Sequence, residues 1–356
     1  TKIKIANKKD WIKKIVFMNY KLKTNIKNLF YSFGNSGISK RLVNRWKGDA
    51  IILCYHRVSK NKKRSNFLNP CDSLNTDQIL FEEHLNHLSS NYNCVSLSEL
   101  MNSSNDEHNG FKVAITFDDG YKDNYQNALP ILEKYNIPAT IFISTRFIEG
   151  DIQTWWYDLW EIVLNNSRLD FQINEKQYSV VITSITRKLK IYHLISNYLI
   201  MMDYKSQTTF MKKLISKYPV QVYKQEFLNY DELNKLNNHQ LITVGAHSHN
   251  HSSLSNISNR ELLFEISHSK KLLEKKLKSK IEHIAYPYGR KENISTRVIE
   301  ATREVGYKYG YTTLCRKFNR NDPYYVPRHL INDSIDLKKL QVKLSGFNAF
   351  WGLQSS

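Results

Sequence analysis

Hydrophobic positions along most of this chain follow two alternating rhythms. Ala50–Tyr55, Val113–Phe117, Ala139–Ser144, Leu241–Ala246, Ile281–Tyr286, residues 308–313 and Tyr324–Ile331 are short apolar runs, which read as buried strands. Between them lie stretches with helical spacing. Residues 77–90 carry Ile79, Leu80, Leu85 and Leu88, with Thr76 or Asp77 as cap. Others fall around 123–135, at 293–305 and at Leu337–Leu344, and the capping box Ser258-Asn-Arg-Glu261 opens a charged helix to about 278. This β/α alternation predicts a parallel sheet. Strands that each end in polar or charged residues fit a β/α barrel with its site at the C-terminal rim.

The rhythm breaks at about 150–228. There the aromatic cluster Trp155, Trp156, Tyr157 and Trp160 leads into an expected hairpin at 169–182 and two helical stretches. We read this as a mostly helical insertion in a barrel spanning 49–356. The rings could stack on sugar as a lid, but anchoring the insertion to the body is the commoner use of such a cluster. Residues 1–48 form an expected basic arm, in which Trp11, Ile12, Ile15 and Val16 recur near helical spacing.

Composition changes the picture only in part. A chain of 356 residues with 41% hydrophobic and 24% charged residues has the make-up of a globular protein. Its formal charge of +19 asks for an anionic partner. The excess concentrates in residues 1–47, where lysines cluster against one acid, Asp10. An anionic membrane surface suits that segment; nucleic acid is disfavoured, because no recognition motif accompanies the lysines. Cys54, Cys71, Cys94 and Cys315 are scattered without a CxxC pair, against a disulfide framework or a thiolate zinc site. No apolar run is long enough for a membrane span, and the N-terminus lacks a signal-peptide pattern. The expected location is therefore cytoplasmic, at most peripheral to the inner face of the membrane.

The candidate chemistry sits where strands end. Val113–Phe117 stops at Asp118-Asp119-Gly120, and two neighbouring carboxylates need a cation or hydrogen-bond donors to ionise together. Along a pleat they point opposite ways unless the Gly120 turn swings both to one side. Leu241–Ala246 runs into His247-Ser-His-Asn-His251, a spacing that lets His247 and His251 converge on one metal. In a chain with 12 histidines that spacing alone is weak, and its place after a strand strengthens it. Two histidines and Asp119 would make a three-ligand site with an open position, leaving Asp118 as a base.

Thr116-Phe-Asp-Asp-Gly120, His247-Ser-x-x-His251 and Tyr286-Pro-Tyr-Gly289 resemble the first three motifs of the polysaccharide deacetylases, carbohydrate esterase family 4. The resemblance implies a distorted (β/α) barrel of about seven parallel strands. It implies metal-dependent removal of acetyl groups from N-acetylated amino sugars of a polysaccharide, oligosaccharide or lipid-linked glycan. Zinc is the expected metal, with cobalt, nickel or iron as alternatives. It carries Asp118 over as base, and Asp119, His247 and His251 as ligands. Tyr286, Pro287, Tyr288 and Gly289 become a wall of the substrate groove, with the Tyr288 N–H as oxyanion donor.

Two departures stand out. Ala285 occupies the place where the family commonly has the arginine that partners the base; Arg328 is the candidate to supply it, and is also expected among the substrate-binding residues. The late Leu-x-His motif is not obvious either. Instead Leu53-Cys-Tyr-His56-Arg-Val58 resembles the opening strand of the branch that deacetylates poly-N-acetylglucosamine. This makes His56 the candidate acid and His329 the second. A carbohydrate-binding chain that has lost turnover is the alternative; the intact Asp118, Asp119, His247 and His251 set argues against it.

Overall fold

The computed structural model describes residues 48–60, 70–103, 110–150, 154–221 and 226–346. The expected basic arm, Gly48 apart, lies outside the described residues. In chain order the strands are β1 (Ala50–Tyr55), β2 (Arg57–Ser59), β3 (Asn75–Asp77), β4 (Asn93–Cys94), β5 (Lys112–Phe117) and β6 (Ala139–Ile143). They continue with β7 (Arg168–Ile173), β8 (Lys176–Val181), β9 (Ile242–Ala246), β10 (His283–Ala285), β11 (Tyr309–Tyr311) and β12 (His329–Leu330).

Seven of these run parallel in the order β11-β10-β9-β6-β5-β1-β12, and the two-residue β4 pairs with β5. β1, β5 and β6 are buried along their whole length, as strands covered on both faces must be. Helices such as Gln78–Asn91, Leu129–Tyr135 and Asn259–Leu277 pack their apolar sides against this sheet. The result is a curled, distorted (β/α) barrel: the parallel sheet follows the alternation, and the distorted barrel is the one the family resemblance implied. Its seam between β11 and β12 is bridged by residues 323–326. Gly310 N–H donates to Pro323 O at 2.8 Å, Val326 N–H to Gly310 O at 2.9 Å and Thr312 N–H to Val326 O at 2.8 Å. A Cβ at Gly310 would overlap the Tyr286 hydroxyl, so this close approach requires glycine.

Three expected elements come out differently. The strand read over 324–331 is reduced to β12, with Val326 in an isolated bridge to Tyr311. Pro323 and Pro327 have no N–H to give a ladder, which is why the run breaks. The helix read around 123–135 begins as a π-helical turn, Asn124–Ala128, before Leu129–Tyr135, with Pro130 in its first turn. The Trp155–Asn165 segment is itself a helix, ahead of the β7–β8 hairpin.

Between β6 and β9 lie that helix, the hairpin and the helices Ile185–Ile200 and Tyr204–Lys217. Trp155, Trp156 and Trp160 are buried with Leu159, Leu169, Ile195, Leu199 and Met211 in a second core. They anchor the insertion, and the lid reading of the cluster gives way to burial. That core continues through Phe147, Tyr121 and Phe227 to the rim of the barrel; Phe147 and Trp156 lie 6.1 Å apart, Tyr121 and Phe227 4.7 Å.

Candidate active site

Sheet register brings the pieces together. β1 and β5 pair from Ala50↔Lys112 through Tyr55↔Phe117, so His56 and Asp118 leave the rim side by side. The Asp118 N–H donates to Tyr55 O at 3.1 Å, extending the ladder by one step. Asp119 then takes a φ of 75° and Gly120 one of 80°. This left-handed pair turns the chain, and a non-glycine residue there is a sparsely populated state that the surroundings must hold. β6 and β9 pair through Ile143↔Ala246, which puts Ser144 beside His247, and the Ser144 hydroxyl donates to His247 O at 2.9 Å.

One oxygen of Asp119 lies 3.5 Å from His247 Nε2 and 3.3 Å from His251 Nε2. Ligand atoms of the three residues lie within 4.8 Å of one another. Two observations fit them to a divalent cation. Asp119 Oδ1 is buried without a hydrogen-bond partner among the described residues. His247 Nδ1 sits 2.8 Å from Ala285 O, an acceptor, so it carries the proton and leaves the Nε2 lone pair facing Asp119. Burial holds His247 down to about 4 against the pull of Asp118, so its ring is neutral near pH 7, the form that ligates metal. His251, at a φ of 57°, has its ring walled by Phe147, Trp156 and Tyr288, with centroids at 5.9, 5.6 and 4.9 Å.

Asp118 has a different environment. Arg328, wholly buried, meets it with a two-pronged pair, Nη1 to Oδ1 at 2.6 Å and Nη2 to Oδ2 at 2.8 Å. The guanidinium is itself held by Thr312 O at 3.1 Å and the Thr116 hydroxyl at 3.2 Å. Burial pushes the Asp118 carboxyl up, but Arg328 first and then His247 outweigh it and hold it well below the usual carboxylate range. Arg328 thus stands where the missing arginine of the Tyr286 motif was sought. It has no open face for a substrate, so Arg328 is a partner of Asp118 and not, as expected, a substrate-binding residue. The Cys54 thiol, unforeseen from the sequence, approaches the same carboxylate at 3.4 Å.

His56 is half-buried. Its carbonyl accepts from Asn124 Nδ2 at 2.7 Å, so the π-helical turn after Gly120 pins the residue. Its Nδ1 has no hydrogen-bond partner among the described residues. His329, the second candidate, is buried with Nε2 3.2 Å from Arg316 O. It lines a small cavity with Ala50 and Phe111, at the opposite end of β1 and β5 from His56 and Asp118. Tyr286 is also not a groove wall. Its ring is fully buried and its hydroxyl donates to Tyr324 O at 2.9 Å, closing the barrel seam. Pro287 is buried too, and at Gly289 (φ 60°) a Cβ would strike Thr313 N at 2.6 Å. Tyr288, at a φ of 63°, is held through its carbonyl by the Thr313 hydroxyl at 2.8 Å.

The polysaccharide deacetylase family model matches residues 105–183 and 192–310. The chain belongs to the polysaccharide deacetylases. This makes it a carbohydrate deacetylase, a hydrolase. Among curated relatives, the poly-beta-1,6-N-acetyl-D-glucosamine N-deacetylase of Staphylococcus aureus (strain MRSA252) is 27% identical over 297 residues, 81% of this chain and 80% of that protein. Two solved structures share the fold. The Streptococcus pyogenes deacetylase PplD, in complex with acetate, is 18% identical with a TM-score of 0.54, over 83% of this deacetylase and 97% of that chain. IcaB from Ammonifex degensii is 16% identical with a TM-score of 0.52, over 84% and 97%.

Proposed function

We propose that this deacetylase removes acetyl groups from N-acetylated amino sugars in a glycan, with a divalent cation held by Asp119, His247 and His251. Zinc is the metal we favour, with cobalt, nickel or iron as alternatives; both imidazoles and a carboxylate suit it. When bound, it would polarise the acetyl carbonyl and offset charge on the tetrahedral oxyanion. The observation that carries the reading is the pairing of that donor cluster with a second carboxylate, Asp118, kept ionised by Arg328.

Asp118 takes one proton from the attacking water as its oxygen bonds to the acetyl carbon. The Tyr288 N–H is the donor we assign to the developing oxyanion. An amine leaves badly as an anion, so His56 protonates the nitrogen as the C–N bond breaks, releasing acetate and the free amino sugar. Arg328 keeps Asp118 charged and fixes its plane, and it touches neither product. The relative from S. aureus supports a poly-N-acetylglucosamine substrate; a lipid-linked sugar would present the same acetamido group. Segment 1–47 we assign to an anionic membrane face on its charge alone, and pelleting with anionic liposomes, lost on its removal, tests that. Incubating zinc-loaded protein with N-acetylated glycans and lipid-linked sugars, with acetate release as readout, tests the activity. A metal-loaded protein that frees no acetate from any of them overturns the reading.

A further inference from the structure

The loop joining the two histidines is strained and almost wholly inside the protein. Ser248 and His251 both have left-handed φ values, 61° and 57°, that side-chain-bearing residues seldom adopt. Ser248, His249, Ser252 and Ser253 are buried. Something has to hold this backbone. On one side its carbonyls are taken: the Ser144 hydroxyl donates to His247 O at 2.9 Å, Thr145 N–H to Ser248 O at 3.2 Å and Arg146 N–H to His249 O at 3.0 Å.

On the other side stands one residue, Glu265, on the helix Asn259–Leu277. It occupies the core-facing stripe among Leu262, Ile266, Ser269 and Leu273, where an apolar side chain is the norm, and it is 3% exposed. No cation is paired with it among the described residues. Its charge is met by donors from the loop alone. Oε2 accepts the N–H groups of His249 at 3.0 Å and Asn250 at 2.8 Å, and Oε1 accepts Asn250 Nδ2 at 2.7 Å and the Ser252 hydroxyl at 3.2 Å. A buried carboxylate is costly unless its lone pairs are filled, and these four bonds fill them. They also leave this segment few alternative conformations.

We infer that Glu265 is a positioning residue for metal binding: its carboxylate holds the loop in the one conformation that aims His251 at Asp119 and His247. This rests on the metal reading proposed above. It carries the consequence that the empty protein already has the ligands in place, so losing Glu265 lowers metal affinity beyond any effect on folding. Glutamine is the informative replacement. It keeps the volume but offers one oxygen, so an NH2 group must face either the two backbone N–H groups or the donors on Asn250 and Ser252.

The experiment measures Zn²⁺ affinity of metal-stripped protein by competition with a chromophoric chelator, beside the thermal midpoint of the same metal-free samples. The visible spectrum of bound Co²⁺ reports ligand geometry. The comparison variant is Ser269→Ala, one turn along the same buried stripe, which removes hydrogen bonds to Ile266 O and the Tyr307 hydroxyl without touching the loop. Glu265→Gln should weaken Zn²⁺ binding by about 10- to 100-fold, the usual range for partners that orient metal ligands, and alter the Co²⁺ spectrum. Ser269→Ala should lower the midpoint and leave both unchanged. Glu265→Asp, which keeps the charge on a shorter stem, should recover part of the affinity. Equal Zn²⁺ affinity of Glu265→Gln and wild type overturns the inference while leaving the metal reading intact. A wild-type protein that binds no Zn²⁺ removes the metal reading and this inference with it. Should Glu265→Gln not fold, Asn250→Ala combined with Ser252→Ala decides: it strips both donors from Oε1, and unchanged affinity there also overturns the inference.

Discussion

Replacing Arg328 with methionine is the most demanding test of the site, because the two effects it should have are read separately. The substitution keeps an unbranched side chain but removes the guanidinium from a wholly buried pair. Asp118 then keeps the weak Cys54 thiol contact and loses both short bonds, and Thr312 O loses its Arg328 donor. Breaking a buried pair by removing one partner costs about 3–5 kcal/mol. A stranded buried carbonyl adds about 1–3 kcal/mol. Together these give a loss of about 4–8 kcal/mol, which for a domain of this size lowers Tm by roughly 6–12 °C. With Arg328 gone, burial of the Asp118 carboxyl is opposed much less, so its pKa moves up. Because a base must be ionised, the acid limb of the pH profile of kcat/KM should move to higher pH. Arg328→Lys keeps the charge but cannot make the fork, and should fall between. Asp118→Asn combined with Arg328→Met leaves no stranded carboxylate charge, so its destabilisation should be less than the sum of the single changes. Chemical denaturation and pH-dependent acetate release measure both effects. An Arg328→Met protein as stable as wild type, with an unmoved acid limb, refutes the reasoning.

Asp119→Ala, His247→Ala and His251→Ala should lose bound metal and activity together, whereas Asp118→Asn should keep metal, by elemental analysis, while kcat falls about 10² to 10⁴-fold. His56→Ala should slow an N-acetyl substrate more than an O-acetyl one, since an alcohol leaves more readily than an amine; equal losses on both would place the acid elsewhere. Trp156→Ala should destabilise by about 3–5 kcal/mol, because the ring fills the second core and backs His251; an unchanged Tm with a raised KM would restore the lid reading. Burial holds His84 and His283 down to about 4. Between that value and the ordinary 6.5 the unfolded chain binds more protons than the folded one, so stability should fall as pH drops from 6.5 towards 4. The ceiling is about 3 kcal/mol for each histidine. Denaturation midpoints across this range check it, and a flat profile counts against their burial as neutral rings.

What was legible in the sequence was local. An apolar run that stops at Asp118-Asp119-Gly120, and another that stops at the His247–His251 pair, announce chemistry at strand ends, because several ionisable or ligating groups crowd into the few residues that follow each run. Helical periodicity and the Ser258–Glu261 capping box are likewise written within a few residues, and the helix starts where that box places it. The open choice about Trp155–Trp160 was not local: a tryptophan on a core and one on a substrate groove look alike until the neighbouring segments are placed.

The remainder depended on partners distant in the chain. Arg328 reaches Asp118 across 210 residues because β12 lies beside β1, which lies beside β5. The arginine missing at Ala285 makes Arg328 a candidate partner, but no local pattern near either residue carries that adjacency. The carbonyl that orients His247 belongs to Ala285, where side-chain identity says nothing about what the backbone accepts. Glu265 had a faint signal, a carboxylate on a largely apolar helical stripe, but its meaning required the loop it faces. Residue type sets which groups are able to ionise, ligate or donate. The sheet order and its register set which of them meet, since a hydrogen bond or ion pair acts over a few ångströms and the chain alone does not fix those distances.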